Sequence, residues 1–331
     1  MSLTKEKYDA LKYPLYRHIH TSDMIRKDLH DLANYKATIL DENSIKNHFG
    51  KHNNIIPINN MKIVFVTDYF KELKLVFITD YFSQKCRIKC CHMKNISPLE
   101  YFTKNKTIIY NDIMRMYGKI NYDLLDIYLY KNIKQCTNFY TPLVMNILNY
   151  FKPNSWLDFS AGWGDRLIGA IAYGMNNINF TYTGIDPSRC MKKRYAKIIR
   201  KLANNDSRYR IINLPFEDTN INETFDLVMT SPPFFDLEIY ENEPEQSLVR
   251  YNTVDAWFDK FMKPSINMSI EKLNKNGHLA LYIADSMNGK YVEKTNNYIN
   301  SKTQVKYIGN LYWFNKSSSK RLRIIYVWKR L

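Results

Sequence analysis

No apolar run in this 331-residue chain approaches the roughly twenty residues that a membrane-spanning helix needs. Lys, Asn and Asp break the hydrophobic stretches. The opening residues Met1-Ser2-Leu3-Thr4-Lys5-Glu6-Lys7 lack the apolar core of a secretory signal. Both absences predict a soluble, intracellular protein with no membrane partner. Cysteine is sparse as well: five residues form an odd set without framework spacing, which suits a reducing compartment. Cys86, Cys90, Cys91 and His92 cluster as C-x3-C-C-H, but no second Cys/His pair stands at finger-like distance, so no metal site is expected. The alternation in Cys86-Arg87-Ile88-Lys89-Cys90 reads instead as a half-buried strand carrying small apolar thiols.

Acidic residues are outnumbered. Against 32 Asp and Glu stand 48 Lys and Arg, a formal charge of +16. Such an excess concentrates polyanions and favours nucleic acid or an anionic surface as a partner. The 26 Tyr and 17 Phe add ring faces on which bases can stack. A hydrophobic share of 45% is ordinary for a folded chain and excludes wholesale disorder. The length allows two modest domains.

The character of the chain changes near residue 136. Before it the sequence is irregular and rich in Lys, Asn and Tyr, with helical spacing over 23–34 and 110–130. Between these lies a near-duplication. Lys62-Ile63-Val64-Phe65-Val66-Thr67-Asp68-Tyr69-Phe70 returns as Lys74-Leu75-Val76-Phe77-Ile78-Thr79-Asp80-Tyr81-Phe82, and the two copies read as adjacent strands or a local tandem duplication. After residue 136, short apolar strands alternate with helices, beginning at 156–159 and 164–173. That alternation predicts βαβ units and a parallel sheet wrapped by helices. Two strand-like segments, 305–314 and 322–328, follow with a short connection that predicts an antiparallel hairpin.

Two motifs carry chemistry. Leu157-Asp158-Phe159-Ser160-Ala161-Gly162-Trp163-Gly164-Asp165-Arg166 leaves a strand and enters a helix, where glycine permits a tight turn and close backbone approach to a ligand. The next strand ends in Gly184-Ile185-Asp186, a carboxylate where nucleoside-binding α/β folds hold ribose hydroxyls. The second motif is Asp226-Leu227-Val228-Met229-Thr230-Ser231-Pro232-Pro233-Phe234-Phe235. An apolar strand runs into two prolines that cannot continue the ladder and fix a rigid corner, beside an aromatic able to stack on a flat ring.

In these residues the chain resembles the class I S-adenosylmethionine-dependent amino-methyltransferases, whose signature is Asp, Asn or Ser followed by Pro-Pro and an aromatic. Residues 158–164 resemble their cofactor loop, and Ser231-Pro232-Pro233-Phe234 their catalytic loop. Phe139-Tyr140-Thr141-Pro142 sits where that family supports the methionine end of the cofactor. The wider pattern, with Glu238-Ile239-Tyr240 and Gln246-Ser247, is similar to uncharacterised methyltransferases of large DNA viruses and phages, which would place the protein in a host cytoplasm. The resemblance covers residues 136–331. It implies a Rossmann-like α/β fold: a seven-stranded, mostly parallel sheet, helices on both faces and an antiparallel terminal hairpin. Residues 1–135 would then form a smaller α+β accessory region for target recognition.

The resemblance also assigns roles. Asp158 and the turn of Ser160, Ala161, Gly162 and Gly164 would hold the amino-acid part of S-adenosylmethionine. Asp186 would take the ribose hydroxyls, and Asp218, or Glu217 in its place, the adenine amine. Ser231 and the Pro232 carbonyl would accept hydrogen bonds from the target amine, Pro233 would stiffen the loop, and Phe234 would stack on the target ring. The implied reaction is direct methyl transfer to adenine N6 or cytosine N4, in DNA before RNA. Ser231, where many adenine enzymes carry Asn or Asp, leaves the base open. A cytosine-C5 enzyme needs a nucleophilic Cys beside the Pro, and residues 230–235 hold none. The rivals are a methyltransferase of cap, ribosomal or transfer RNA, and a non-catalytic nucleic-acid-binding subunit that keeps the fold.

Overall fold

The computed structural model describes the chain apart from residues 1, 14–18, 42, 45–62, 94, 241–242, 287 and 317–321. Its strands are β1 (Thr38–Leu40), β2 (Ile63–Thr67), β3 (Cys91–His92), β4 (Ser155–Asp158), β5 (Thr181–Ile185), β6 (Tyr209–Ile212), β7 (Phe225–Thr230), β8 (Glu238–Ile239), β9 (Leu273–Tyr282), β10 (Val305–Asn315) and β11 (Arg323–Arg330). Nine of them form one sheet in the order β1-β2-β10-β11-β9-β7-β4-β5-β6. Within it β6, β5, β4, β7 and β9 run parallel, and β11 enters antiparallel between β9 and β10. The mixed α/β architecture with its antiparallel hairpin is therefore as the sequence implies.

The central strands are apolar on both faces. In β4 Trp156 packs into one core and Leu157 into the other; in β7 Leu227 and Met229 face one way and Val228 the opposite. This period of two, with no polar face, marks strands covered by helices on both sides. One face carries α1 to α9 in part: α2 (Ser22–Ala33), α3 (Tyr69–Arg87), α7 (Thr141–Phe151), α8 (Asp165–Asn176) and α9 (Arg189–Leu202). The helices counted between them are α1 (Lys5–Asp9), α4 (Pro98–Lys104), α5 (Lys106–Tyr117) and α6 (Tyr122–Asn132). The opposite face carries α11 (Val254–Trp257), α12 (Lys263–Glu271) and α13 (Val292–Asn300), after the short α10 (Ser247–Arg250).

Residue 136 marks where βα alternation begins, and packing runs straight across it. β2 extends the sheet by pairing parallel to β10, so nine strands replace the seven expected. Ile25, Leu29, Phe65, Leu75 and Phe82 share one buried cluster with Val144, Leu167 and Tyr182. A second cluster of Tyr8, Phe102, Ile113, Leu125 and Leu129 gives α1, α4, α5 and α6 a core of their own.

The duplicated segments do not form two strands. The first copy makes β2 and starts α3; the second lies wholly inside α3, where Leu75, Val76, Ile78, Thr79 and Phe82 are buried. A short apolar run is compatible with either period, and its neighbours choose. Beside β10 the first copy finds a ladder, closed by Trp313 Nε1 donating to Thr67 Oγ1 at 2.8 Å. Cys86 and Arg87 likewise end α3 instead of forming a strand. The helical spacing over 110–130 divides at Gly118, which caps α5 at φ 64°.

Candidate active site

β4, β5 and β7 are parallel, so Asp158, Asp186 and Ser231 emerge at one edge, where open α/β sheets hold ligands. Between β4 and α8 the chain turns through Gly162 at φ 60° and Gly164 at φ 85°. L side chains avoid these values. A Cβ on Gly164 would also meet Ile198 Cδ1 at 2.7 Å, because α9 packs against the bare backbone. Gly162 N–H donates to Asp186 Oδ2 at 2.8 Å and Ser188 N–H to Oδ1 at 3.0 Å. The Tyr195 hydroxyl donates to the Gly162 carbonyl.

Of the residues expected in the cofactor loop, Ser160 and Gly162 line the cavity at this edge, as does Asp186. Asp158 has a different part. It is fully buried, and its oxygens accept from Arg166 Nε at 2.8 Å, the Tyr182 hydroxyl at 2.9 Å and the Thr230 hydroxyl at 2.7 Å. Three converging side-chain donors, with the Ser160 N–H at 3.4 Å, make it the lock of the turn, outside the cavity lining. Ala161, with its N–H on the Ile185 carbonyl at 2.9 Å, and Gly164 also shape the loop from behind. Asp165 and Arg166, to which the sequence pattern assigned no role, also line the cavity at this corner. Asp165 accepts Phe139 N–H at 3.1 Å and Arg166 N–H at 3.0 Å.

Two carboxyls here sit well above their ordinary range. Burial pushes Asp186 up to about 6, against the pull of the Ser188 and Gly162 N–H donors. Burial pushes Asp165 up to about 7, opposed by Arg166 and the Phe139 N–H. Of the two candidates after β6, Glu217 lines the cavity with its side chain 7% exposed, whereas Asp218 stands outside it at 48%. Arg250 bridges both, at 2.9 Å to each, which turns Asp218 toward solvent. Burial raises Glu217 above the usual carboxylate range. Phe216 stacks on Phe159 with centroids 4.9 Å apart, an apolar floor beside Glu217.

Ser231, Pro232, Pro233 and Phe234 all line the same cavity. Leu237 N–H donates to the Phe234 carbonyl at 3.0 Å, closing a tight turn whose second residue, Phe235, holds φ at 47°. A left-handed non-glycine costs about 1–2 kcal/mol and persists where packing over-determines it. Here the Phe235 ring is buried against Trp257, 6.0 Å between centroids. The chain then enters β8, which pairs with β3, and Met93 N–H reaches the Leu237 carbonyl at 2.8 Å. So the N-terminal region clamps the end of the Pro-Pro loop.

Phe234 belongs to a ring array the sequence did not reveal. Tyr282 lies 5.9 Å from Phe234 and 5.6 Å from Phe139; Tyr140 lies 5.8 Å from Trp313, over which the Arg323 guanidinium sits at 4.4 Å. All of these residues line the cavity, whose volume is about 1200 Å³. α3 closes the opposite wall through Arg87, which is buried and paired to Asp80 at 2.7 Å, and which donates to the Cys136 carbonyl at 3.0 Å.

Cys86 and Cys190 form a disulfide with Cα atoms 6.0 Å apart, joining α3 to α9. This corrects the reading of five reduced thiols, since a pair separated by 104 residues has no spacing signature. Cys90, Cys91 and Cys136 stand outside any disulfide. Among the described residues no group of three His, Cys, Asp or Glu is placed to hold a metal, and no helix is long and apolar enough to cross a membrane.

No family model matches the chain. No curated protein matches it either. Among solved structures it is similar to the N-methyltransferase NodS from Bradyrhizobium japonicum in complex with S-adenosyl-L-homocysteine, at 12% identity and TM-score 0.37, covering 57% of this chain and 85% of that one. It is similar to TrmN from Thermus thermophilus at 12% identity and TM-score 0.40, covering 58% and 49%. The magnesium protoporphyrin IX methyltransferase ChlM from Synechocystis PCC 6803, solved with its cofactor, gives 12% identity and TM-score 0.40 over 70% and 94%.

Proposed function

We propose that the chain is an S-adenosylmethionine-dependent methyltransferase acting on an exocyclic amine of nucleic acid, adenine N6 or cytosine N4, with DNA as the first expectation. One observation carries this reading: a single cavity is lined both by the Gly162–Asp186 corner and by Ser231-Pro232-Pro233-Phe234.

The residues present fit the cofactor. Asp186 offers a buried carboxylate to a pair of vicinal hydroxyls, and backbone bends away at Gly162 where a ligand would approach. Glu217 beside the Phe159–Phe216 stack suits a flat ring with an amine edge, so we assign it the role first given to Asp218. Ser160, Asp165 and Arg166 line the corner that would take an amino-acid end, the Arg166 guanidinium donating to the Ser160 carbonyl. When bound, S-adenosylmethionine supplies an electrophilic methyl group on a sulfonium.

The chain's own work is to prepare the amine. A base amine is a poor nucleophile because its lone pair is conjugated into the ring. The Ser231 hydroxyl and the Pro232 carbonyl accept its two hydrogens, which localises the lone pair and points it down the cavity. Phe234 and Tyr282 hold the ring, offsetting part of the cost of taking a base from its stack. No strong base is needed, and water at the mouth takes the proton the amine sheds.

The test incubates the purified chain with labelled cofactor and separate pools of DNA and RNA, then identifies the modified nucleoside by mass spectrometry. N6-methyladenine or N4-methylcytosine is expected. Label found only on a ring carbon, a ribose oxygen or protein would overturn the reading.

A further inference from the structure

We propose that Phe70 and Tyr130, at the mouth of the cavity, stack on the bases that flank the target nucleotide, so that the substrate is an unpaired strand. This rests on the nucleic-acid reading above. Phe70 is 76% exposed and Tyr130 69% exposed, the two most exposed large rings among the described residues; the next, Tyr117, is at 41%. Yet these two are not scattered over the surface. Both line the cavity that holds Ser231, one from the first turn of α3 and the other from the last turn of α6. Tyr130 lies near enough to Tyr69 to act on its ionisation, so the two helix ends share one rim. Ile127, one turn before Tyr130, is a third exposed apolar side chain on that rim.

Large exposed rings in a concave mouth are platforms for flat ligands, and stacking on successive bases tolerates any sequence because every base has a π-face. A cation follows each ring. Lys71 succeeds Phe70 with its side chain 84% exposed, and exposed Lys131 succeeds Tyr130. Asp123 and Asp126 line the same cavity as Lys131. In a duplex, the neighbours of the target keep both faces covered by their own stack. Only a single strand leaves them open to Phe70 and Tyr130.

The test measures binding of short fluorescent oligonucleotides by anisotropy with S-adenosylhomocysteine present. Each sequence is offered as single-stranded DNA, single-stranded RNA and duplex. The parent should prefer a single strand, and the DNA and RNA arms identify which. The double variant Phe70→Ala, Tyr130→Ala should bind that strand about 30-fold or more weakly. Phe70→Trp with Tyr130→Trp should bind like the parent, and calorimetry should give both variants the parent's cofactor affinity. Equal single-strand affinity in the alanine variant, or duplex bound as tightly as single strand, overturns this proposal and leaves the amine-methylation reading standing. A parent that binds no oligonucleotide overturns both.

Discussion

The Thr230 hydroxyl donates to Asp158 Oδ1 at 2.7 Å and so ties the strand end that presents Ser231 to the strand end that presents Gly162. The two halves of the site are thus set relative to each other through a buried carboxylate shared with Arg166 and Tyr182.

Thr230→Val keeps the shape and removes that donor. Leaving a buried carboxylate with one acceptor site unmet costs about 1–3 kcal/mol. Urea unfolding should show a lower midpoint at an unchanged slope, with methyl transfer reduced more than cofactor binding. Parent-like stability and turnover would mean that the link is dispensable.

Asp186 should make cofactor affinity depend on pH. Its folded pKa of about 6 is raised, so in the unliganded protein the neutral form predominates only below about pH 6. Its contribution to stability is full below the unfolded carboxyl value of about 3.9 and is lost as pH rises through about 6. Binding runs the other way, because two hydroxyls need an ionised acceptor. Affinity for S-adenosylhomocysteine should rise between pH 5 and 6 and then level off. Asp186→Asn should bind more weakly, with that limb flattened; calorimetry across the range decides.

Ser231→Ala and Phe234→Ala should separate binding from chemistry. Loss of one amine acceptor is expected to lower turnover by about 10²-fold, with cofactor affinity unchanged. If both variants turn over like the parent, the amine is held elsewhere.

The fragment 136–331 should not fold as a soluble unit. Its removal of β2 bares the edge of β10, and the loss of α3 strips Leu75, Ile78 and Phe82 from the cluster that also holds Val144 and Tyr182. Aggregation on expression is the expected outcome. A monodisperse fragment with parent-like cofactor affinity would contradict it.

Reduction, or Cys190→Ser, should lower thermal stability. A bridge closing 104 residues restrains the unfolded chain by about 2–4 kcal/mol. Intact-mass measurement after alkylation in denaturant should find three thiols without reductant and five with it, and calorimetry a lower melting temperature once the bridge is cut.

Much of this was legible in the sequence, because some signals are local. The alternation of short apolar runs with helices after residue 136, the glycines at 162 and 164 and the break at Pro232-Pro233 are signals carried by neighbouring residues. They determined a parallel sheet, the edge at which ligands meet it and the two loops that face each other there. Only the tertiary structure decided the rest. Asp158 and Asp186 look alike as strand-ending carboxylates, but Arg166, Tyr182 and Thr230 claim the first, while the second stays at the cavity. Glu217 and Asp218 are adjacent, and Arg250 from 32 residues on separates them. The twin segments at 63–70 and 75–82 carry nearly one sequence, and one became a strand because β10 offered it a ladder, the other a helix because α2 and α8 offered it an apolar face. Cys86 met Cys190, and Phe234 met Tyr282, through packing alone. A local rule fixes what a residue can do; which buried partner reaches it first depends on contacts between segments that the linear order keeps far apart.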